Sequence, residues 1–287
     1  MLLIRVRGPF NLRLSLAGAA SFLPIARAPD VFRVAVDIDG MPAVVSISQA
    51  PRQLFSVRAS SIPEIDEASL KKITKRLVWS DLDLQPFYRL AIVNPIMRPV
   101  VSSLTGLKPL CPATLFEMAI IAITEQQLSL AAAFHIRNRL ISRFGARSGG
   151  QLRFPSAEIL AAASLEELQH CGLSHRKAEY VKELASSVIQ GALDFDALER
   201  KREDHIREEL LAIRGFGEWS ADYMLSRGFG RPDALPAGDV GLQRVLGHYF
   251  AHGRRLTAAQ LKRKLAPFKP FRGLAAYYLA VHWRLRR

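Results

Sequence analysis

The stretch "LPAGDVGLQR" (235–244) sets one carboxylate, Asp239, among small and apolar residues at the head of an apolar helical run. An acid placed there has two chemical uses. As an N-cap it accepts hydrogen bonds from free backbone N–H groups and stabilises the helix by roughly 1 kcal/mol. As a catalytic group it supplies fixed negative charge opposite a cation that develops in a transition state. Just upstream, "EELLAIRGFGEWSADYML" (208–225) offers a second chemistry. Ile206, Leu210 and Ile213 mark the apolar face of one helix, Gly215 and Gly217 allow positive φ or close backbone approach, and a new helix starts at once. N–H groups at a helix N-terminus bare of side chains suit a phosphate, and the same glycines suit an ordinary αα-corner. Trp219 and Tyr223 stand four residues apart on one face of that second helix. They are either a core pair or two π faces able to sandwich a planar group, a cationic one being favoured by ~0.5–2 kcal/mol.

These side chains need a frame, and its pattern changes along the chain. Residues 1–85 read as a β-rich α+β domain. In "VFRVAVDIDG", Phe32, Val34, Val36 and Ile38 share a face, Asp39-Gly40 is a turn dipeptide, and "PAVVSIS" returns as a strand. Leu12, Leu14 and Leu16 alternate as another strand would, although Arg5, Arg7, Arg13 and the "ARA" at 26–28 imitate a secretory leader that Gly18 and Pro24 interrupt. "IDEASLKKITKRL" is helical by the spacing of Ile65, Leu70, Ile73 and Leu77. Residues 86–287 read as all-α. One long helix is expected from Pro112 to a C-cap at Gly145, a capping box at Ser164 and Glu167, and a cap at Ser174 after Gly172. "LQHCGLSHRKAEYV" (168–181) aligns without gaps on "LAIRGFGEWSADYM" (211–224), either as an internal repeat or as two uses of one helix–turn–helix shape.

Composition narrows the partners. Forty Lys and Arg against 26 Asp and Glu give a formal charge of +14, which fits a polyanion better than a membrane surface. No run is apolar and long enough to span a bilayer. Two cysteines, Cys111 and Cys171, exclude a four-cysteine iron–sulfur cluster and a cysteine-built zinc site. They fit a reducing compartment, so a cytoplasmic protein is expected, nucleoid-associated in a prokaryote. His135, His175 and His248 lack metal-site spacing and read as surface or helix-terminal residues, so no metal ligands are assigned.

Taken together, "IRGFGEWSADY" and "LPAGD", with "ITEQQLSLAAAFHIRNRLISRFG", "CGLSHRKAEYVKELA" and "PFKPFRGLAAYYLAVHW", resemble the helix-hairpin-helix-Gly/Pro-Asp superfamily of DNA glycosylases. The likeness runs from about residue 82 to 283 and is greatest to the 3-methyladenine DNA glycosylase II branch. It implies a β-rich N-terminal domain before an all-α core, with a hairpin at about 204–227 and the aspartate loop at 235–240. By this resemblance Asp239 is the catalytic aspartate, and Gly215 and Gly217 give the amides that bind a DNA phosphate. A monovalent cation on the hairpin carbonyls would be the only cofactor. Trp219 stands where bifunctional members carry a Schiff-base lysine, so hydrolysis without strand cleavage is implied. Trp219 and Tyr223 would hold the base, Gln127 would be the wedge in the duplex, and Arg244 would contact phosphate. Tyr277, Tyr278 and Trp283 are either pocket wall or core. The expected substrate is double-stranded DNA carrying alkylated purines, bound by a monomer. Two rivals remain: a non-catalytic binder of damaged DNA, and a glycosylase for oxidised or deaminated bases.

Overall fold

Period-two alternation builds the N-terminal sheet. The computed structural model of the chain describes residues 2–19, 30–38, 40–51, 54–60 and 65–286. Strands β1 (Leu2–Arg5), β2 (Val31–Ile38), β3 (Met41–Ala50) and β4 (Leu54–Ser60) pair antiparallel in the order β1-β4-β3-β2. Phe32, Val36 and Ile38 are buried with Val45, Ile47, Phe55 and Val57, and Val34 is partly buried against them. Gly40, at φ +79°, turns the β2–β3 hairpin so that Ile38 faces Met41. Asp39, Pro24 and residues 26–28 lie outside the described residues.

Leu12, Leu14 and Leu16 form a helix, α1 (Leu12–Ala19), and not the expected strand. The Asn11 side chain accepts from the Leu14 N–H at 3.0 Å and starts the first turn. Leu12 and Leu16, four apart, are buried in one core while Leu14 packs against another. A short helix with apolar neighbours on two sides is indistinguishable from a strand by alternation alone. Helix α2 (Glu67–Val78) follows, capped by Asp66 and buried through Leu70 and Leu77 as its spacing predicts.

From α3 (Gln85–Ile92) and α4 (Met97–Ser103) onward the chain is helical except for a small hairpin of β5 (Arg147–Ser148) and β6 (Gln151–Leu152). The run expected as one helix from Pro112 is two, α5 (Leu115–Glu125) and α6 (Leu130–Phe144). Thr114, not Pro112, opens the first, and Gly145 is the C-cap of the second, as expected. Between them Gln127 takes φ +55° and Ser129 caps the new helix, accepting from Ala132 N–H at 3.2 Å. No Gly or Pro marks the break, and Leu128 and Leu130 resume apolar residues at once, so the sequence reads on as one helix. The capping box at Ser164 and Glu167 and the cap at Ser174 both form, on α8 (Leu165–His170) and α9 (His175–Ile189), after α7 (Ala157–Ala162).

The remaining helices are α10 (Phe195–Glu199), α11 (Glu203–Ala212), α12 (Glu218–Arg227), α13 (Val240–Phe250), α14 (Ala258–Leu265) and α15 (Arg272–Leu285). Two apolar cores divide them. One joins the sheet to α5–α12; the other joins α3 and α4 to α13–α15, with Tyr278 fully buried in it. The chain crosses between the cores near residues 78–84, 107–110 and 234–235. At the second crossing the buried Lys108 ammonium donates to the carbonyls of Leu82 (2.6 Å), Arg7 (2.8 Å) and Trp79 (3.2 Å), which pins three segments together. The third crossing leads straight into the Asp239 loop.

Candidate functional site: a carboxylate at the junction of two cores

The loop that carries Asp239 is fixed before α13 begins. Ala234 belongs to the first core, while Leu235 and Ala237 belong to the second. The Asp239 N–H donates to Pro236 O at 2.9 Å, and the buried Gln243 amide donates to Ala237 O at 2.8 Å. Asp239 is then the N-cap of α13, its Oδ1 accepting from Leu242 N–H at 2.7 Å. Gly241 leaves space for that oxygen, since a Cβ there would stand 3.1 Å from Oδ1. The second oxygen, Oδ2, accepts from the Trp219 indole Nε1–H at 3.1 Å. Each carboxylate oxygen therefore has one donor, the group is half-buried, and its orientation is set by two helices from different cores. Capping and catalysis are not alternatives in this arrangement. Gly238, just before the aspartate, does not lie in the left-handed region and is exposed beside Trp219.

Trp219 comes from the hairpin between α11 and α12. Gly215 sits at φ +88°, and a Cβ on it would overlap the Tyr180 ring of α9. Gly217 differs: its φ of −128° is open to any residue and a Cβ would meet nothing within 4 Å. What Gly217 leaves bare is the N-terminus of α12, which has no side-chain cap. Trp219 and Tyr223 stack on each other, with ring centroids 5.0 Å apart and planes 25° apart. The expected sandwich of a planar group between them is therefore excluded, because two rings on successive turns of one helix already fill that space. Only their outer faces can receive a ligand.

Behind the stacked pair lies a polar network that the sequence did not disclose. The Tyr223 hydroxyl donates to Glu125 Oε2 at 2.7 Å, and Glu125 pairs with Arg137 at 2.5 Å, both nearly inaccessible to solvent. Burial, and next the Glu125 carboxylate, hold the Tyr223 phenol well above its ordinary range, so it remains a donor. The available signal was an acid closing the apolar run at 118–123 of α5.

The helix-hairpin-helix, the aspartate loop and the helix after it all fall within residues 120–270. That span matches the family model described as HhH-GPD superfamily base excision DNA repair protein. The chain belongs to this superfamily. Among its relatives, a DNA-3-methyladenine glycosylase of Bacillus subtilis (strain 168) is 28% identical over 213 residues, 72% of this chain and 69% of the relative. DNA-3-methyladenine glycosylase 2 of Escherichia coli is 28% identical over 241 residues, 82% of this chain and 79% of the relative. The solved 3-methyladenine DNA-glycosylase from Archaeoglobus fulgidus shares the fold with a TM-score of 0.83 at 24% identity, covering 100% of this chain and 99% of that one. Its match through the N-terminal sheet agrees with the α+β class read from the sequence.

Other residues of this HhH-GPD chain fall in two groups. Gln127 and Arg244 are exposed, the first at the α5–α6 turn and the second just over one helical turn beyond Asp239. Tyr278 belongs to the core: its hydroxyl donates to Leu107 O at 2.7 Å and it pairs with Tyr88. Tyr277 lies under the Arg227 guanidinium, 4.8 Å from ring centroid, and Trp283 stacks on the exposed His248. His135 and His175 are exposed, and no metal-binding cluster occurs among the described residues. No described helix is long and apolar enough to cross a membrane. A groove of about 1000 Å³ between α2 and the α9–α10 segment contains none of the site residues.

Proposed function

We propose that the protein is a monofunctional DNA glycosylase that extrudes alkylated purines from duplex DNA and releases them by hydrolysis. The observation that carries this reading is the Asp239 carboxylate, fixed by Leu242 and Trp219 beside a hairpin whose helix N-terminus is uncapped. Breaking an N-glycosidic bond builds positive charge on the deoxyribose. A carboxylate already oriented needs no rearrangement to stabilise that charge or to align water. An alkylated purine carries positive charge itself and departs without a strong general acid, so one carboxylate suffices where O-glycosidases generally use two. The outer face of the Trp219–Tyr223 stack offers π density to such an electron-poor base.

The N–H groups at Gly217 and the first turn of α12 would take a phosphate, with Arg244 on a neighbouring one. A monovalent cation on the hairpin fits the same picture. The Ile213 and Gly215 carbonyls accept from Phe216 N–H (3.0 Å) and from the Gln126 amide (2.8 Å), and among the described residues neither accepts a second hydrogen bond. An indole at position 219, in place of an amine, leaves no Schiff-base nucleophile beside the carboxylate. Two relatives support this reading: the Bacillus subtilis protein is named for 3-methyladenine, and a Schizosaccharomyces pombe 3-methyladenine DNA glycosylase, 26% identical with a TM-score of 0.60, was solved with abasic DNA.

The test is to incubate the protein with methylated duplex and with duplexes holding 8-oxoguanine or uracil, and to identify free bases. Methylated purines should be released, intact abasic strands should accumulate, and borohydride should trap no covalent complex. Release confined to 8-oxoguanine or uracil, or a trapped complex, would overturn the assignment.

A further inference from the structure

Three consecutive residues at the end of α5 each engage a different part of the site. Glu125 holds the Tyr223 hydroxyl behind the aromatic stack. Gln126 reaches the hairpin, its Nε2 donating to Gly215 O at 2.8 Å and to Ser220 Oγ at 3.0 Å. Gln127 then takes the left-handed backbone at φ +55°, and Leu128 and Leu130 stand 43% and 52% exposed. A non-glycine residue stays in that region only where its surroundings over-determine it. The other half of the restraint comes from α9: Lys177 Nζ donates to Gln126 O at 2.6 Å and Thr124 O at 3.0 Å.

Lys177 and Ser220 are equivalent positions of the two aligned segments, each the third residue of its second helix. The structure gives both segments one shape, with Gly172 at φ +100° and Gly215 at φ +88° in matching turns. They differ at the helix start. Ser174 closes the N-terminus of α9 by accepting from Lys177 N–H, whereas Gly217 leaves that of α12 open. One hairpin is open to an anion; the other turns a lysine inward onto the α5–α6 turn.

We propose that Gln126 and Lys177 are positioning residues that clamp the Gln127–Leu128 turn between the two hairpins, so that the turn enters the duplex as a rigid wedge when a base is extruded. This rests on the glycosylase reading above and deepens it. Lys177 is half-buried; burial lowers its ammonium from its ordinary range, and Glu125 opposes that shift. The clamp acts on extrusion and not on bond cleavage, because neither residue touches Asp239.

The experiment compares wild type with Lys177→Met, Lys177→Arg and Gln126→Ala. It follows 2-aminopurine fluorescence beside the lesion and base release from two duplexes. In one the methylated purine is paired; in the other it faces an abasic site, where extrusion costs least. Lys177→Met and Gln126→Ala should slow both signals on the paired duplex by about tenfold to a hundredfold, the range for a slightly misplaced group. On the unpaired duplex both should keep near wild-type release, and Lys177→Arg should restore the paired substrate. Equal losses on both duplexes, or no loss on either, would overturn the clamp. Should Lys177→Met not fold, Gln126→Ala decides alone. Should wild type release no base, the glycosylase reading fails and the fluorescence signal still decides the clamp.

Discussion

Trp219 does two jobs that a smaller side chain separates. Its ring stacks on Tyr223 and its Nε1–H holds Asp239 Oδ2. Trp219→Phe keeps the ring and loses the donor, so base release should fall by about tenfold, the worth of one hydrogen bond to a charged group. The affinity for duplex should not change; a drop in affinity with unchanged turnover would assign Trp219 to binding alone. The glycines separate in a similar way. Gly215→Ala forces a Cβ into the Tyr180 ring at positive φ and should destabilise the fold by about 1–3 kcal/mol. Gly217→Ala meets no atom, so it should cost less than about 1 kcal/mol of stability. Duplex binding should nevertheless weaken as the methyl group screens the amides. Thermal melts and titrations of both variants check the pair, and equal melting losses would contradict it. The turn at Gly215 and the cap at Asp239 were legible because glycine and aspartate are the types that a left-handed turn and a helix N-cap favour. Glu125, Gln126, Arg137 and Lys177 were not, because each acts through a partner between 12 and 98 positions away.

Helix boundaries were legible where a cap announced them, as at Ser164, Ser174 and Asp239. They failed at Leu12, where apolar residues on two sides mask the period, and at the α5–α6 break, which no Gly or Pro announces. Helix α5 also carries a titration consequence. Glu117 is buried, accepts from Ala113 N–H at 3.1 Å, and burial raises its carboxyl from 4.5 to about 7. The folded chain therefore holds this proton more tightly than the unfolded chain does. The stability this contributes is complete below the unfolded value and is lost as pH rises through about 7. Glu117→Gln keeps the acceptor without the titration. Between about pH 5 and about pH 8 wild type should lose a few degrees of melting temperature relative to the variant. Parallel profiles would refute the buried-acid account.

At the scale of the molecule, charge is distributed unevenly. After Asp239 the sequence contains no Asp or Glu through residue 287, while Arg244, Arg254, Arg255, Lys262, Arg263 and Lys264 are all exposed. Net charge was legible in the composition; its concentration on α13, α14 and the turn between them appears only once the helices are placed. If this side meets DNA, reversing Lys262, Arg263 and Lys264 to Glu should flatten the salt dependence of duplex affinity, by about one unit of log–log slope per lost phosphate contact. An unchanged slope would put the duplex elsewhere. The sheet and two cores then serve to bring the hairpin and the aspartate loop together at one crossing of the chain. What that meeting accomplishes is tested most directly by single-turnover release of a methylated purine by Asp239→Asn, alongside its affinity for duplex with an abasic analogue. Release should fall at least about a hundredfold while affinity stays within about twofold, the signature of an interaction made in the transition state. Near wild-type release by that variant would contradict the account.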